Sequence, residues 1–251
     1  MQELLAHVVR PSCGPENVFF LNAQQGWILV NTTETMNSHV GEMFQTLDGG
    51  QTCRHLGGSP SGEFLFISGT HGWMLANSFG PEPLYRTVDG GKTWQVVSVN
   101  DSDINDDFFL PVFFNEQKGI LAMILRDQEG PVEGITFFKT QDGGLAWEPI
   151  GKLSSLPRES LGFGTNSVQL WDEQTWVVAA PGYGVYWTVD GGQHWTENTT
   201  EIARGIFGLT LGSVKSAWGW MCDPNSNGRC IFVLMATEDM GAHWEKVEVQ
   251  P

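Results

Sequence analysis

Thr188-Val-Asp-Gly-Gly-Gln-His-Trp195 is one of five copies of a single eight-residue pattern. Thr87-Val-Asp-Gly-Gly-Lys-Thr-Trp94 and Thr140-Gln-Asp-Gly-Gly-Leu-Ala-Trp147 repeat it closely. Thr46-Leu-Asp-Gly-Gly-Gln-Thr-Cys53 ends in cysteine, and Thr237-Glu-Asp-Met-Gly-Ala-His-Trp244 has methionine in place of the first glycine. Successive copies begin 41, 53, 48 and 49 residues apart, a period that suits a four-stranded propeller blade. Asp followed by two glycines marks a tight turn, because glycine adopts positive φ at little cost. The carboxylates of Asp48, Asp89, Asp142, Asp190 and Asp239 are expected to accept backbone N–H bonds and hold those turns. The terminal Trp is expected to fill the space between neighbouring blades.

Upstream of each turn the chain repeats more loosely. A strand enters it, as in Val185-Tyr-Trp-Thr188, and before that lies a run that often opens with Gly-Trp: Gly26-Trp-Ile-Leu-Val30, Gly72-Trp-Met-Leu-Ala76 and Gly219-Trp-Met-Cys222. Thr175-Trp-Val-Val-Ala179 and Gly119-Ile-Leu-Ala-Met123 are read as the corresponding runs of the fourth and third copies. Four short strands per copy predict an all-β chain, a β-propeller of five four-stranded blades at 16–56, 63–98, 108–150, 160–198 and 206–249, in one domain over residues 1–251.

Of 251 residues, 41% are apolar and 12% aromatic, enough for a large core. The net charge is −16, from 29 acidic and 13 basic side chains. That field repels a phosphate backbone and an anionic bilayer, so nucleic acid is excluded as an expectation and a cation or a basic protein patch is favoured; no run is long enough to span a membrane, so membrane insertion is not expected, and a glycan stays open as the alternative partner. Cys222 and Cys230 flank a turn-rich segment, Asp223-Pro-Asn-Ser-Asn-Gly-Arg229, which suits a disulfide across a hairpin loop and leaves Cys13 to pair with Cys53. The alternative is four buried, reduced thiols. Disulfides imply an extracytoplasmic setting: periplasmic, lumenal or secreted. The start of the chain has neither the basic nor the apolar stretch of a signal peptide.

Five Ser/Thr-x-Asp-Gly-Gly-x-Thr-Trp turns with upstream Gly-Trp strands resemble the BNR/Asp-box repeat proteins, and most of all the photosystem II stability/assembly factor family and its bacterial relatives. The resemblance spans about residues 16–249. That family implies seven blades and an arginine-rich protein-docking surface, whereas five copies are visible here and the seven arginines stand singly. Asp boxes also occur in sialidases, which implies an Arg-Ile-Pro element, an arginine triad and a Tyr/Glu pair; Arg10-Pro11 lacks the Ile.

Loops opposite the repeated turns carry the candidate site. Those joining strands two and three are read at 31–41, 77–83, 127–134, 181–184 and 223–229, with connectors at 57–62, 98–107 and 151–160. They hold Asp103, Asp107, Asp127 and Glu129 as binding acids, and Tyr183 at a loop tip for stacking on a sugar or a partner side chain. Asp101, Asp103, Asn105 and Asp107 alternate oxygen side chains as a calcium loop does; the competing reading is a solvated acidic loop. Residues 223–228 match the opening of an EF-hand loop, but Leu234 stands where the bidentate Glu belongs. Asn31, Asn100 and Asn198 head triplets that accept glycans only in a secreted eukaryotic chain. No cofactor is required by any motif. The reading is a non-catalytic, monomeric binding or assembly scaffold outside the cytoplasm, holding a protein partner on an acidic loop face. The alternative is a carbohydrate-active propeller, a lectin or glycoside hydrolase with two facing carboxylates.

Overall fold

A computed structural model describes residues 15–35, 38–76, 83–99, 107–126, 132–154, 156, 167–213, 215–223 and 230–248. They form five antiparallel sheets. The first contains β1 (Pro15–Phe20), β2 (Gly26–Thr35), β3 (Ser38–Thr46) and β4 (Arg54–Pro60); the second contains β5 (Gly62–Phe66), β6 (Gly72–Ala76), β7 (Leu84–Thr87) and β8 (Gln95–Val96). The third runs through β10 (Val112–Phe113), β11 (Gly119–Arg126), β12 (Val132–Thr140) and β13 (Glu148–Leu153), with the two-residue β9 (Asp107–Phe108) beside β11. The fourth is β14 (Val168–Leu170), β15 (Trp176–Ala180), β16 (Gly184–Thr188) and β17 (Thr196–Asn198). The fifth is β18 (Gly208–Leu211), β19 (Ala217–Cys222), β20 (Phe232–Thr237) and β21 (Glu245–Lys246). Within each sheet the strands follow sequence order, as expected from the repeat.

Several expected loops are strand instead. The segment 31–41 is a ribbon in which β2 and β3 stay paired to Thr35↔Ser38. The β-branched residues Val30, Thr32, Thr33 and Thr35 carry strand-forming preference past the core there, so the ladder has no reason to stop. The connector read at 57–62 shrinks to Ser61, because β4 ends at Pro60 and β5 starts at Gly62. A one-turn helix, α1 (Glu201–Arg204), links the fourth and fifth sheets; Thr200 caps it by accepting a bond from the Ala203 N–H.

Pairing across each sheet corrects two readings of the upstream runs. Gly26, Gly72 and Gly119 pair with the turn threonines Thr46, Thr87 and Thr140. In the fourth sheet the residue opposite Thr188 is Trp176, so this tryptophan holds the glycine position and not the one after it. In the fifth, Ala217 faces Thr237, so Trp218 and not Trp220 matches Trp27. Glycine is needed in the second sheet because the Phe66 ring lies over Gly72, where a Cβ would sit 2.7 Å from it. Trp176 escapes that constraint because its cross-strand neighbour is Leu170.

The chain divides into two compact units, Met1–Lys118 with Gln141–Trp147, and Gly119–Thr140 with Glu148–Pro251. In the first, Trp27, Leu29 and Met43 of one sheet form a single core with Phe64, Phe66 and Met74 of the next. Trp27 stacks on Phe66 at 3.7 Å, and Phe66 meets the turn tryptophan Trp94 edge-on at 6.0 Å. Trp73, Phe113 and Trp147 repeat that trio. In the second unit the trio is Phe137, Trp176 and Trp195. There Ile120 stands in the register of Trp27, and Phe137 and Trp176 fill the space from neighbouring strands, a volume-conserving exchange. Further on, Val177, Val185, Met221 and Trp244 belong to one buried cluster. Trp147 and Trp244 are buried while Trp94 and Trp195 are half-buried, all four packed between sheets as expected.

Candidate functional site

The repeated turn is built from the buried threonine upward. Thr46, Thr87, Thr188 and Thr237 each donate their hydroxyl to the aspartate two residues on, at 2.7–2.9 Å, and accept the N–H of the second glycine position at 2.8–3.1 Å. The aspartate in turn accepts the backbone N–H four residues later: Thr52, Thr93, Ala146, His194 and His243, at 2.8–3.0 Å. At Asp48, Asp89, Asp190 and Asp239 the other oxygen also takes a side chain. Thr52 and Thr93 donate a hydroxyl at 2.6 and 2.7 Å, and His194 and His243 place Nδ1 at 2.6 Å, which requires the Nδ1–H form of the ring.

These bonds all favour the ionised carboxylate. The Thr52 hydroxyl and N–H, then Thr46, hold Asp48 down to about 2. The His243 N–H, opposed by some burial and helped by the His243 ring and Thr237, holds Asp239 at about 2. Asp190 lies lower still, chiefly through the His194 N–H and ring. At Asp89 burial pushes upward, but the bonds from Thr93, Thr87 and Lys92 outweigh it and the result is a depressed value.

A second repeated element, unread in the sequence, receives each turn. The N–H at the first glycine position donates to a carbonyl in the turn between the first two strands of the same sheet: Gly49 to Gln24, Gly90 to Thr70, Gly143 to Gln117, Gly191 to Gln174 and Met240 to Lys215, at 2.8–3.0 Å. Each receiving turn is held by one side-chain oxygen, from Asn22, Ser68, Asn115, Asp172 or Ser213, which accepts the N–H groups two and three residues on. Asn, Ser and Asp share an acceptor and not an identity, so no repeat of letters betrays them; the signal available was an acceptor four residues before Gly26, Gly72, Gly119, Trp176 and Ala217.

No family model matches the chain, and no curated protein matches it. Solved structures do. YCF48 from Cyanidioschyzon merolae is 14% identical, with a TM-score of 0.53 over 96% of this chain and 87% of that one. An ancestral GH74 enzyme is 15% identical, with a TM-score of 0.57 over 95% of this chain and 32% of its own. The Hadza microbial sialidase Hz136 is 13% identical, with a TM-score of 0.51 over 92% of this chain and 57% of its own. The fold is that of a β-propeller. At these identities the likeness carries the fold alone, and this chain spans about a third of the GH74 enzyme and little more than half of the sialidase. The five sheets are its blades.

Of the candidate site residues on the propeller, Asp101, Asp103, Asn105, Asp127 and Glu129 lie outside the described residues. Asp107 opens β9 and is half-buried. Tyr183 is also half-buried, in a tight turn where its N–H donates to the Ala180 carbonyl at 2.9 Å and the Gly182 N–H to the Arg204 carbonyl at 2.7 Å. It stands in the turn joining β15 and β16, as expected. Among the described residues no His, Cys, Asp and Glu side chains group to hold a metal. Asp223 is engaged with Lys246 at 3.2 Å on the fifth blade. Asn198 is buried and gives its amide to the carbonyls of Gly241 and Ala242 at 2.7 and 2.8 Å, which removes it as a glycan acceptor.

Cys222 and Cys230 form the expected disulfide, closing the connection between β19 and β20. Cys53 carries a free, half-buried thiol, in contrast to the expected bond to Cys13, which lies outside the described residues. Burial pushes that thiol's pKa up, and Asp48 adds to the effect. No helix among the described residues is long and apolar enough to cross a membrane.

Proposed function

We propose that this propeller is a non-catalytic binding scaffold in an oxidising, extracytoplasmic compartment, holding a basic protein partner on its acidic loops. The observation that carries the reading is the state of the repeated carboxylates. A glycoside hydrolase requires a carboxyl group with a raised pKa and a second one roughly 5–10 Å away. Asp48, Asp89, Asp190 and Asp239 are the reverse: each is tied into its own turn by several donors and held ionised. Their chemistry is committed to structure, and the remaining acids of a chain of net charge −16 supply a field that attracts cationic surfaces. The Cys222–Cys230 disulfide supports the compartment.

The test is capture from a native extract by wild-type protein and by a variant with Asp103, Asp107 and Asp127 changed to Asn and Glu129 to Gln, at low and high salt. The variant folds normally and loses partner, and wild-type capture fades as salt rises. Equal capture by both proteins at every salt concentration removes the acidic loops as the binding surface. Specific binding on a glycan array, with no protein captured, favours the carbohydrate reading instead. A calcium-dependent rise in melting temperature that disappears in the same variant assigns a cation to the 101–107 segment.

A further inference from the structure

The five repeated turns share a geometry but not the peptide bond that follows their aspartate. In four it is Asp-Gly: Asp48-Gly49, Asp89-Gly90, Asp142-Gly143 and Asp190-Gly191; in the fifth it is Asp239-Met240. An aspartate carboxyl can be attacked by the backbone nitrogen of the residue after it, and glycine hinders that attack least because it has no Cβ. The nitrogen bonds to Cγ, the amide proton and the carboxyl hydroxyl leave together as water, and a five-membered imide forms. Water then returns at either carbonyl. One opening restores aspartate; the other gives isoaspartate, whose main chain runs through Cβ and Cγ and whose free carboxylate sits on Cα. Only water leaves and enters, so a solvated Asp-Gly turn holds everything the reaction needs.

Burial does not shield these turns. Asp48, Asp89 and Asp190 are half-buried and Asp142 is exposed. Both reacting groups are engaged elsewhere instead. The N–H groups of Gly49, Gly90, Gly143 and Gly191 are clasped to the carbonyls of Gln24, Thr70, Gln117 and Gln174 at 2.8–3.0 Å. The carboxylates are fixed on other donors of the turn. At Asp48 the Thr46 hydroxyl and the Thr52 N–H hold Oδ1 at 2.8 and 2.9 Å, and the Thr52 hydroxyl holds Oδ2 at 2.6 Å. Asp89 has the same set from Thr87 and Thr93, and Asp190 from Thr188 and His194. Asp142 accepts the Leu145 and Ala146 N–H groups at 2.9 and 3.0 Å. To bring Cγ onto its own following nitrogen, each aspartate must give up bonds of this kind. The same donors keep Asp48, Asp89 and Asp190 ionised, and a carboxylate is a poorer target than a neutral carboxyl.

We propose that the four Asp-Gly bonds are spontaneous modification sites gated by the clasp, closed while the turn stands and converted to isoaspartate when it opens. Conversion is one-way for the fold. An isoaspartyl residue adds a main-chain atom to the turn and moves the carboxylate away from the donors that held it, so an opened turn stays open. A long-lived chain therefore loses its clasps one turn at a time. The fifth turn is the durable one, because the Met240 side chain hinders the attack that glycine admits.

The experiment is peptide mapping by mass spectrometry, with fragmentation that separates isoaspartate from aspartate, after long warm incubation at mildly acidic pH. The samples are wild type in buffer, wild type in guanidinium, and Asn22→Ala in buffer; Asn22 Oδ1 holds the turn that presents the Gln24 carbonyl to Gly49. In guanidinium, isoaspartate accumulates at Asp48, Asp89, Asp142 and Asp190, and far more slowly at Asp239. In buffer the four conversions slow by about tenfold or more, because the reacting state is the locally opened turn. Asn22→Ala speeds conversion at Asp48 and leaves Asp190 at the wild-type rate. Should that variant loosen the whole fold, so that every site speeds up, Thr52→Ala serves instead, since it removes only an exposed donor to Asp48 Oδ2. Equal rates in buffer and guanidinium, no isoaspartate in guanidinium, or neither variant selective for Asp48 overturns the proposal.

Discussion

Met240 stands where four other turns have glycine, and it adopts φ 60° beside the 71–80° of Gly49, Gly90, Gly143 and Gly191. The methionine does not reshape its turn; it takes the left-handed conformation and keeps the bond to Lys215. That conformation costs a residue with a Cβ roughly 1–2 kcal/mol. Met240→Gly relieves it but adds freedom to the unfolded chain, so a net gain of about 1 kcal/mol in denaturant unfolding is expected; a loss of stability would show that the methionine side chain contributes more than its backbone costs. The turn carboxylates set a pH dependence. Asp48 and Asp239 have folded values of about 2 against an ordinary value of 3.8, so their contribution is complete above about pH 4 and disappears as pH falls through 2. Melting temperature should fall across that window, and Asp48→Asn should flatten the fall while lowering the plateau. An unchanged pH profile in the variant would mean the Asp48 bonds are absent in solution. At this scale Thr, Asp and Gly could be read from the sequence because their chemistry admits few substitutes. The acceptors Asn22, Ser68, Asn115, Asp172 and Ser213 could not, because any short oxygen side chain does the work.

Strand order and the openings of β2, β6 and β11 followed from the sequence, because a glycine heading an apolar run marks a fixed place in the register; at Gly26 and Gly72 an aromatic ring, Phe20 or Phe66, lies over it. The same logic misled in the last two blades. Trp176 and Trp220 look like partners of Trp27, but pairing displaces the first by one residue and the second by two. In the fourth blade packing accommodates the displacement, because Trp176 stacks on Phe137 and meets Trp195 from the glycine position. The inter-blade trios give a mutational expectation. Trp147 is 6% exposed and meets Trp73 and Phe113 at 5.7 and 6.2 Å. Trp147→Ala should cost about 3–5 kcal/mol in denaturant unfolding, as for other emptied aromatic sites. A loss below about 1 kcal/mol would mean the trio contributes little. The ribbon at 31–41 was read as loop, yet β2 stays paired to Thr35 and β3 from Ser38, in a stretch rich in β-branched residues.

Across the whole molecule, five blades are held by one device used five times, a strand-three turn clasped to a strand-one turn of the same sheet. The repeat spacing made that architecture legible, whereas a site was not: the candidate acids sit in segments whose only signal is charge, and charge names a class of partner without naming the partner. The aspartates of these turns have a structural role of their own, since several donors of the same turn hold each carboxylate. Amide hydrogen exchange tests this account most directly, read at Gly49, Gly90, Gly143, Gly191 and Met240 together. Turn amides ordinarily exchange fast, and the clasp predicts that these five are protected to a degree comparable with the strand amides around them. Exchange of the five at the rate of an unstructured chain, with the strands still protected, would contradict it.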